Sequence, residues 1–341
     1  MIRHAVAAAV AALLAVSVAS AQDAPPAATQ EGPKHDLSPR LKDGQPIPVI
    51  WKIQDVLKVD NGDFGKFTTT FNLGAEMELA PGKEDKGKTK AVLVVNRVYG
   101  DLDDPEASGK FDTAIPKSVK LSSGADSYVA KMSQARMNLL LDVSGKVKES
   151  VVDEATTKGL PDCFKESLEK EDKVKAVCSL LKNLGSEPFA YIPPATVAVD
   201  TTWSVQKQVV YIDFSGLPVR IDEVSDCKLI QIEKSDDGRV AVVEITGKIE
   251  LPDRDKKKDI AAYEVFGHLR TNLDKPGAVH WRVQLVGRMK ADNGVNDKKI
   301  HTIVTEVITG ANAKAAFRPA ATQPATQPET TRPTTLPAAG K

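Results

Sequence analysis

Apolar and polar residues alternate along most of the chain between residues 46 and 312. From Val279 to Leu285, for example, every second side chain is apolar and those between are polar. A period of two is typical of strands with one buried face, because successive side chains of a strand point to opposite sides. The same alternation occurs at 48–59, 65–79, 90–100, 136–151, 202–213, 218–234, 241–251, 260–273 and 298–309.

Short turn sequences rich in Asp, Asn and Gly separate these predicted strands, as at Asp60-Asn61-Gly62 and Asp236-Asp237-Gly238. Such turns join neighbouring antiparallel strands, whereas parallel strands need crossovers of roughly a dozen residues. We therefore predict a mainly β (α+β) fold in which an antiparallel meander forms a curved sheet or half-barrel.

One segment, residues 161–184, breaks the alternation. It is rich in helix formers, begins with proline and is followed by glycine, so it predicts one helix or a helical hairpin. It separates two β-rich halves, 46–156 and 187–312. Both halves contain the motif L-D-x-x-G-x-V, at 141–147 and 273–279, which fits either a duplication or a chance similarity of two hairpins.

Residues 1–21 predict a cleaved secretory signal peptide. Arg3 precedes an apolar run, and Ala19-Ser20-Ala21 forms an A-x-A site, so cleavage is expected after Ala21. The alternative, a membrane anchor, needs about 20 apolar residues, more than this run contains. The first cysteine is Cys163, so no lipoprotein cysteine follows the cleavage site. We expect a periplasmic or extracellular protein with no transmembrane segment in the mature chain.

Two segments rich in Pro, Ala, Thr and Gln bound the predicted β-rich domain, which spans residues 46–312. Residues 22–45 and 313–341 contain almost no large apolar side chains, so they cannot bury enough surface to offset the entropy lost on ordering. We predict a disordered linker before the domain and a disordered Pro/Thr-rich tail after it.

The charge of the chain is balanced. It has 46 Lys and Arg and 46 Asp and Glu residues, and removal of Arg3 with the signal peptide leaves 45 against 46, a net charge of −1. A balanced chain offers no basic face, and we expect no nucleic acid partner.

Residues 82–89 match the phosphate-binding pattern G-x-x-x-x-G-K-T. A working phosphate loop leads into a helix whose amides bind the phosphate. The residues from Lys90 to Val98 instead alternate and are rich in valine, which predicts a strand. We therefore interpret residues 82–89 as a charged hairpin loop and predict no cofactor.

Three histidines, His268, His280 and His301, fall on three consecutive predicted strands. The register implied by the intervening turn places His280 opposite Thr271 and His268 opposite Val283, about 10 Å apart. Ligands of one zinc ion must all lie near 2 Å from the metal. We predict solvent-facing histidines and no metal site.

The three cysteines of an exported chain suggest one disulfide and one thiol. Cys163 and Cys178 form the candidate disulfide, which requires the helical segment to fold back on itself. Cys227 shares a strand face with Leu229 and is predicted to be a core thiol. No C-x-x-C motif occurs, which argues against redox catalysis.

The remaining motifs offer no catalytic residues. Neither G-x-S-x-G nor H-E-x-x-H occurs, and we expect a non-enzymatic protein. Trp51, Trp203 and Trp281 are predicted to anchor the core, with a sugar-stacking platform as the alternative.

A family resemblance rests on the paired L-D-x-x-G-x-V motifs and on Pro193-Pro194 followed by Val197–Trp203. These residues resemble a set of exported bacterial β proteins of uncharacterised function, in which a V-x-V-G-D-x-W sequence enters a strand. Asp200-Thr201 replaces the Gly-Asp here. Those proteins look akin to the curved half-barrel of lipoprotein-carrier and LppX-like domains, which hold lipid or apolar groups in the concave face.

The resemblance implies an exported β domain that binds an apolar or envelope-derived ligand, or a partner protein of the envelope. Two alternatives are a carboxylate-dependent hydrolase, whose catalytic residues can be dispersed in sequence, and a structural or interaction protein of the cell envelope. A cleft with two carboxylates, or with His and Asp, at hydrogen-bonding distance would favour the hydrolase. An apolar cleft would favour binding.

Overall fold

The computed structural model contains thirteen strands in the part of the chain that it describes. The described residues are 16–18, 32–42, 44–60, 65–104, 107–115, 133–142, 145–153, 156, 189–193, 195–212, 218–250, 260–275, 277–290, 298–310 and 313. The predicted helical segment 161–184, the predicted Cys163–Cys178 disulfide and nearly all of the predicted tail lie outside these residues.

Most of the strands are long, and nine of the thirteen contain at least eleven residues. Their bounds are β1 (Val16–Val18), β2 (Ile47–Asp60), β3 (Lys66–Asp85), β4 (Lys88–Asp104), β5 (Ala107–Asp112), β6 (Arg136–Asp142), β7 (Val147–Val152), β8 (Thr202–Ile212), β9 (Pro218–Ser235), β10 (Gly238–Glu250), β11 (Ile260–Asn272), β12 (Val279–Lys290) and β13 (Lys298–Thr309).

All the strands belong to one antiparallel sheet in the order β1-β8-β9-β10-β11-β12-β13-β2-β3-β4-β6-β7, with β5 paired to β4. Two meanders, β2–β7 and β8–β13, meet where β13 pairs with β2. The order has two ends, so the sheet is open. Almost none of the described residues is helical, and none of their helices has the length and apolar character needed to cross a bilayer.

One face of the sheet is buried. Odd-numbered side chains point to it over most of the strands, and Trp51, Met77, Leu269 and Trp281 are at most 4% exposed. We call this the core face and the opposite one the polar face. The sheet curves around this face, which helps to bury it. The predicted curved antiparallel sheet is confirmed.

Residues 32–42 lie within the span predicted to be a linker, and they pack against one end of the core face. Leu37 is 1% exposed. The carbonyl of Pro39 accepts a hydrogen bond of 2.6 Å from Gly277 N, and a Cβ added to Gly145 would lie 2.7 Å from Pro39 Cγ. The two glycines occupy the same position in the two L-D-x-x-G-x-V hairpins and have φ of 80° and 70°. Pro39 therefore contacts both hairpins where the positive φ favours glycine.

Residues 189–192 form a second cover over the same end. The ring of Tyr191 stacks on Trp281 at 5.6 Å, and Trp203 Nε1 donates a hydrogen bond of 3.1 Å to the Tyr191 carbonyl. Trp51, Trp203 and Trp281 are 4%, 8% and 1% exposed, which confirms that they anchor the core. No tryptophan of the chain is left on the surface as a sugar-stacking platform.

The G-x-x-x-x-G-K-T segment, residues 82–89, forms the tip of the β3–β4 hairpin. Lys86 and Gly87 have φ of 49° and 74°, as a two-residue hairpin turn requires at both central positions. The interpretation as a hairpin loop is confirmed.

Candidate functional site

One region of the core face remains partly open to solvent. Its side chains point inward with the same odd-numbered parity as the buried core, but they are only half-buried. Most of them are apolar, so an apolar molecule that covered them would remove surface from water. We call this region, on β2, β3, β11, β12 and β13, the open patch. It consists of Leu57, Phe71, Tyr263, Leu285, His301 and Ile303.

A chain of three hydrogen-bonded polar side chains crosses the open patch. His301 Nε2 lies 2.7 Å from Asp55 Oδ1, and the Tyr263 hydroxyl lies 2.9 Å from His301 Nδ1. The side chains of Asp55 and His301 are 9% and 14% exposed. An ionised carboxylate only accepts, so His301 donates from Nε2, and Nδ1 shares the second hydrogen bond with the Tyr263 hydroxyl. Both ring nitrogens of His301 are therefore engaged.

The register of the sheet explains how Tyr263 reaches His301. Both residues lie opposite Gly287, Tyr263 on β11 and His301 on β13. A Cβ at Gly287 would lie 2.7 Å from Tyr263 Cε1, closer than real Cβ atoms come. The missing side chain in β12 thus lets the phenol ring cross that strand, which is a known use of glycine within a sheet.

A second polar network lies on the core face between β8 and β9. Lys207 Nζ is 3.0 Å from Glu223 Oε2, and the two side chains are 1% and 5% exposed. Glu223 Oε1 accepts hydrogen bonds from the Tyr191 hydroxyl at 2.7 Å and from Ser225 Oγ at 2.9 Å. Lys207 Nζ also lies 4.7 Å from the centroid of the Tyr191 ring. This pairing compensates for the burial of two charges and holds residues 189–192 against the sheet.

Cys227 lies on the core face beside this network and is fully buried. Burial raises the pKa of its thiol, and the carboxylates of Glu223 and Asp226 raise it further. A protonated, buried thiol is neither a nucleophile nor a metal ligand. The prediction of a core thiol is confirmed.

The predicted register of the histidines is wrong by one residue. His280 lies opposite Arg270 instead of Thr271, and His268 is displaced by the same step. Asn272 N donates a hydrogen bond to the Ala278 carbonyl, so five residues, 273–277, lie between these last paired residues, and this odd number shifts the pairing by one residue. The rings of His268 and His280 are consequently 5.7 Å apart, edge to face, and not about 10 Å.

His268 and His280 lie on the polar face, whereas His301 points inward. His280 Nε2 is 2.9 Å from Glu306 Oε1, and this hydrogen bond lowers the pKa of the Glu306 carboxyl. Burial lowers the pKa of His268, and the neighbouring His280 adds to the effect. The prediction of solvent-facing histidines is therefore wrong for His301. Within the described ranges, no three His, Cys, Asp or Glu side chains are close enough to share a metal ion.

A groove of about 600 Å³ crosses the polar face from β12 to β5. The ring of Tyr99 lies over Gly74, where a Cβ would be 2.4 Å from Tyr99 Cζ. Asn72 Nδ2 donates a hydrogen bond of 2.7 Å to Asp101 Oδ1. Cations and carboxylates alternate along the groove, so it has no preference for one sign of charge. Its polar lining includes Lys52, Gln54, Asn72, Asp101, Lys110, Asp112, Arg282 and Glu306.

Sequence reasoning missed the chain of Asp55, His301 and Tyr263. Asp55 and His301 are 246 residues apart and meet only because β13 pairs with β2. One sequence signal was available. Asp55 occupies an inward, normally apolar position of an alternating strand, and a carboxylate placed there requires a hydrogen-bonding partner.

Comparison with solved structures finds distant similarities. Lipovitellin, in a structure described by its lipid–protein interactions, matches 79% of this chain with a TM-score of 0.35 and 8% identity, and the match spans 25% of the lipovitellin chain. An outer membrane channel from Pseudomonas putida F1 matches 79% of this chain and 96% of its own, with a TM-score of 0.22 and 13% identity. DynF from the dynemicin biosynthesis pathway of Micromonospora chersina matches 86% of this chain and 94% of its own, with a TM-score of 0.19 and 7% identity.

No protein-family model and no curated protein matches the sequence. The TM-scores of the structural matches are too low to support a function.

Proposed function

We propose that this protein binds an apolar or amphipathic small molecule at the open patch of the core face. The observation that carries the proposal is the change of burial along one face of β12. Trp281 and Val283 are 1% and 4% exposed, whereas Leu285, the next inward residue, is half-buried. A ligand that covers inward-facing apolar side chains still in contact with water is stabilised by removing that contact.

A carboxylate-dependent hydrolase is the second candidate, because Asp55 and His301 form a carboxylate–imidazole pair. A general base needs a ring nitrogen within reach of the proton that it abstracts. Asp55 engages one nitrogen of His301 and Tyr263 engages the other. This arrangement favours binding over hydrolysis. Turnover of p-nitrophenyl esters by the wild type, abolished in Asp55→Asn, would instead support the hydrolase.

We propose the cellular location of the protein from its first 21 residues. A signal peptide cleaved after Ala21 would deliver the protein to the periplasm or the extracellular space. Val16–Val18 pair with β8, so this cleavage would also remove β1 and leave β8 at the edge of the sheet. Mass spectrometry of the protein from a secreting host should show an N-terminus at Gln22, and a chain that begins at Met1 would contradict export.

Binding can be tested with N-phenyl-1-naphthylamine, a neutral probe whose fluorescence rises in apolar surroundings. The wild type should bind the probe saturably. Leu285→Glu should abolish binding, because the probe would have to remove water from the new carboxylate, which is energetically unfavourable. Gln284→Glu places the same charge on the polar face of the same strand, next to Leu285, and should bind like the wild type.

Leu285→Ser provides a milder change if Leu285→Glu does not fold, and circular dichroism of each variant checks the fold. If Leu285→Ser and Gln284→Glu both bound the probe as well as the wild type does, the probe would bind outside the open patch. That outcome, or no binding to the wild type, would leave the alternative of a structural or interaction protein of the cell envelope.

A further inference from the structure

We infer that the groove on the polar face binds a neutral oligosaccharide chain. This site lies on the face opposite the open patch, so it goes beyond the proposed function and does not depend on it. The direction of the groove, its aromatic side chain, its polar side chains and its balance of charge each favour a ligand of this class.

The groove runs across the strands and is long and narrow. Its lining comes from six strands that are neighbours in the sheet, β12, β13, β2, β3, β4 and β5. At about 4.8 Å between neighbouring strands, it extends for about 24 Å across the sheet. Its volume of about 600 Å³ is that of a small-molecule site. An extended chain of linked units fits this shape better than a compact molecule.

Backbone pairing in the sheet argues against an extended peptide as this chain. The strands β13, β2, β3 and β4 each pair with a strand on both sides where they line the groove. A peptide that binds as an added strand needs an unpaired strand edge. The occupant of the groove must therefore be recognised by side chains.

The ring of Tyr99 gives the groove an aromatic surface. This ring is half-buried and lies over Gly74, where a Cβ would be 2.4 Å from the Tyr99 Cζ atom. The guanidinium of Arg97 is 5.0 Å from the ring centroid, and it is held in turn by Glu76 at 2.8 Å and by Asp112 at 2.5 Å. Arg97 does not line the groove, so the ring separates the guanidinium from it. The side of the ring that lines the groove can pack against the C–H groups of a sugar ring.

A row of three polar side chains lies beside Tyr99. Gln54 Nε2 donates a hydrogen bond of 3.1 Å to Asn72 Oδ1, and Asn72 Nδ2 donates one of 2.7 Å to Asp101 Oδ1. Primary amides and carboxylates each take part in several hydrogen bonds, so these contacts orient the three groups without using all of their capacity. The neighbouring hydroxyl groups of a sugar, which both donate and accept, match such a row.

The charges of the lining argue against an ionic ligand. Three cations and three carboxylates line the groove. Glu306 is opposite both Arg282 and Lys52, and Asp101 is opposite Lys110. An acidic or basic polymer would therefore meet a like charge beside each opposite one, which is unfavourable, whereas a neutral polyhydroxyl chain would not.

Isothermal titration calorimetry with three neutral trisaccharides, cellotriose, maltotriose and triacetylchitotriose, tests this inference. The wild type should bind at least one of them saturably. Trigalacturonate, an acidic trisaccharide, and the neutral peptide acetyl-(Gly-Ser)3-amide should both bind more weakly than that trisaccharide.

Substitutions locate the binding site. Tyr99→Ala should weaken binding of the trisaccharide roughly tenfold, because it removes the aromatic surface, and Tyr99→Phe, which keeps the ring, should stay close to the wild type. Asn72→Ala should weaken binding roughly three- to tenfold through the loss of hydrogen bonds. Phe266→Ala and Asn138→Ala remove an exposed ring and an exposed amide from the polar face outside the groove, and both should bind like the wild type.

No saturable binding of any of the three trisaccharides would overturn the inference, as would tighter binding of trigalacturonate or of the peptide. Binding that Tyr99→Ala and Asn72→Ala both leave unchanged would also overturn it, because the sugar would then bind outside the groove. Circular dichroism checks the fold of each variant, and Asn72→Ala decides if Tyr99→Ala does not fold. Asn72→Ala should still bind N-phenyl-1-naphthylamine, so failure at the groove and failure at the open patch are distinguishable.

Discussion

The two ends of the core face share strand β12 but differ in what covers them. Around Trp281 the face lies under Tyr191, whose ring stacks on the indole at 5.6 Å, and under residues 32–42. Around Leu285, two inward positions further along β12, the inward side chains are half-buried. The comparison shows that alternation decides which side chains point inward, whereas segments outside the strands decide how completely they are buried.

The largest expected effect comes from truncating one inward side chain at each end. Trp281→Ala should lower the free energy of unfolding by about 3–5 kcal/mol, because it leaves a cavity in a covered core. Leu285→Ala should lower it by about 1 kcal/mol, because part of the removed surface is already in water. Urea denaturation measures both values. Similar losses for the two variants would mean that the two ends are equally buried in solution.

A smaller effect is expected at the glycine that lets Tyr263 cross β12. Gly287→Ala should lower the free energy of unfolding by about 1–3 kcal/mol, because the new methyl group displaces the phenol ring of Tyr263. Urea denaturation measures this loss.

Gly109 on β5 is the matched control for this substitution, since no atom lies within 4 Å of a Cβ added there. Gly109→Ala should leave stability unchanged or raise it by up to about 1 kcal/mol, as expected for alanine in place of glycine in a strand. Equal effects of the two substitutions would show that the contact between Gly287 and Tyr263 does not constrain the open patch.

The smallest effect is expected on the polar face and depends on pH. The pKa of the Glu306 carboxyl lies below its ordinary value of 4.5, chiefly because His280 donates a hydrogen bond to it. A lowered carboxyl pKa stabilises the fold above the unfolded-state value, and this contribution is lost as the pH falls through the folded-state value. Because the pair is partly exposed, its contribution should stay below about 1 kcal/mol.

Glu306→Gln tests this dependence. Its deficit in the free energy of unfolding should be greatest above about pH 5 and should shrink towards zero in stronger acid. Urea denaturation of both proteins across that range gives the deficit. A deficit that does not change with pH would mean that the substitution acts through packing rather than through the charge of Glu306.

Much of the fold could be predicted from local patterns, and much of the site could not. The alternation around Trp281 and the turn at Lys86-Gly87 each depend on a few neighbouring residues, and the structure agrees with both predictions. The predicted register of His280 was wrong by one residue. The register depends on the number of residues in the β11–β12 loop, and the turn sequence there is compatible with loops of more than one length. The partners of Asp55 were missed because they lie on strands distant in sequence.

The sequence by itself determined the long strands and the turns between many of them, because these properties depend on residues that are neighbours in the chain. Only the tertiary structure decided that β13 pairs with β2, which brings His301 to Asp55, and that residues 189–192 cover one end of the core face and not the other. Pairing between distant strands depends on the packing of the whole sheet, and no local pattern encodes it.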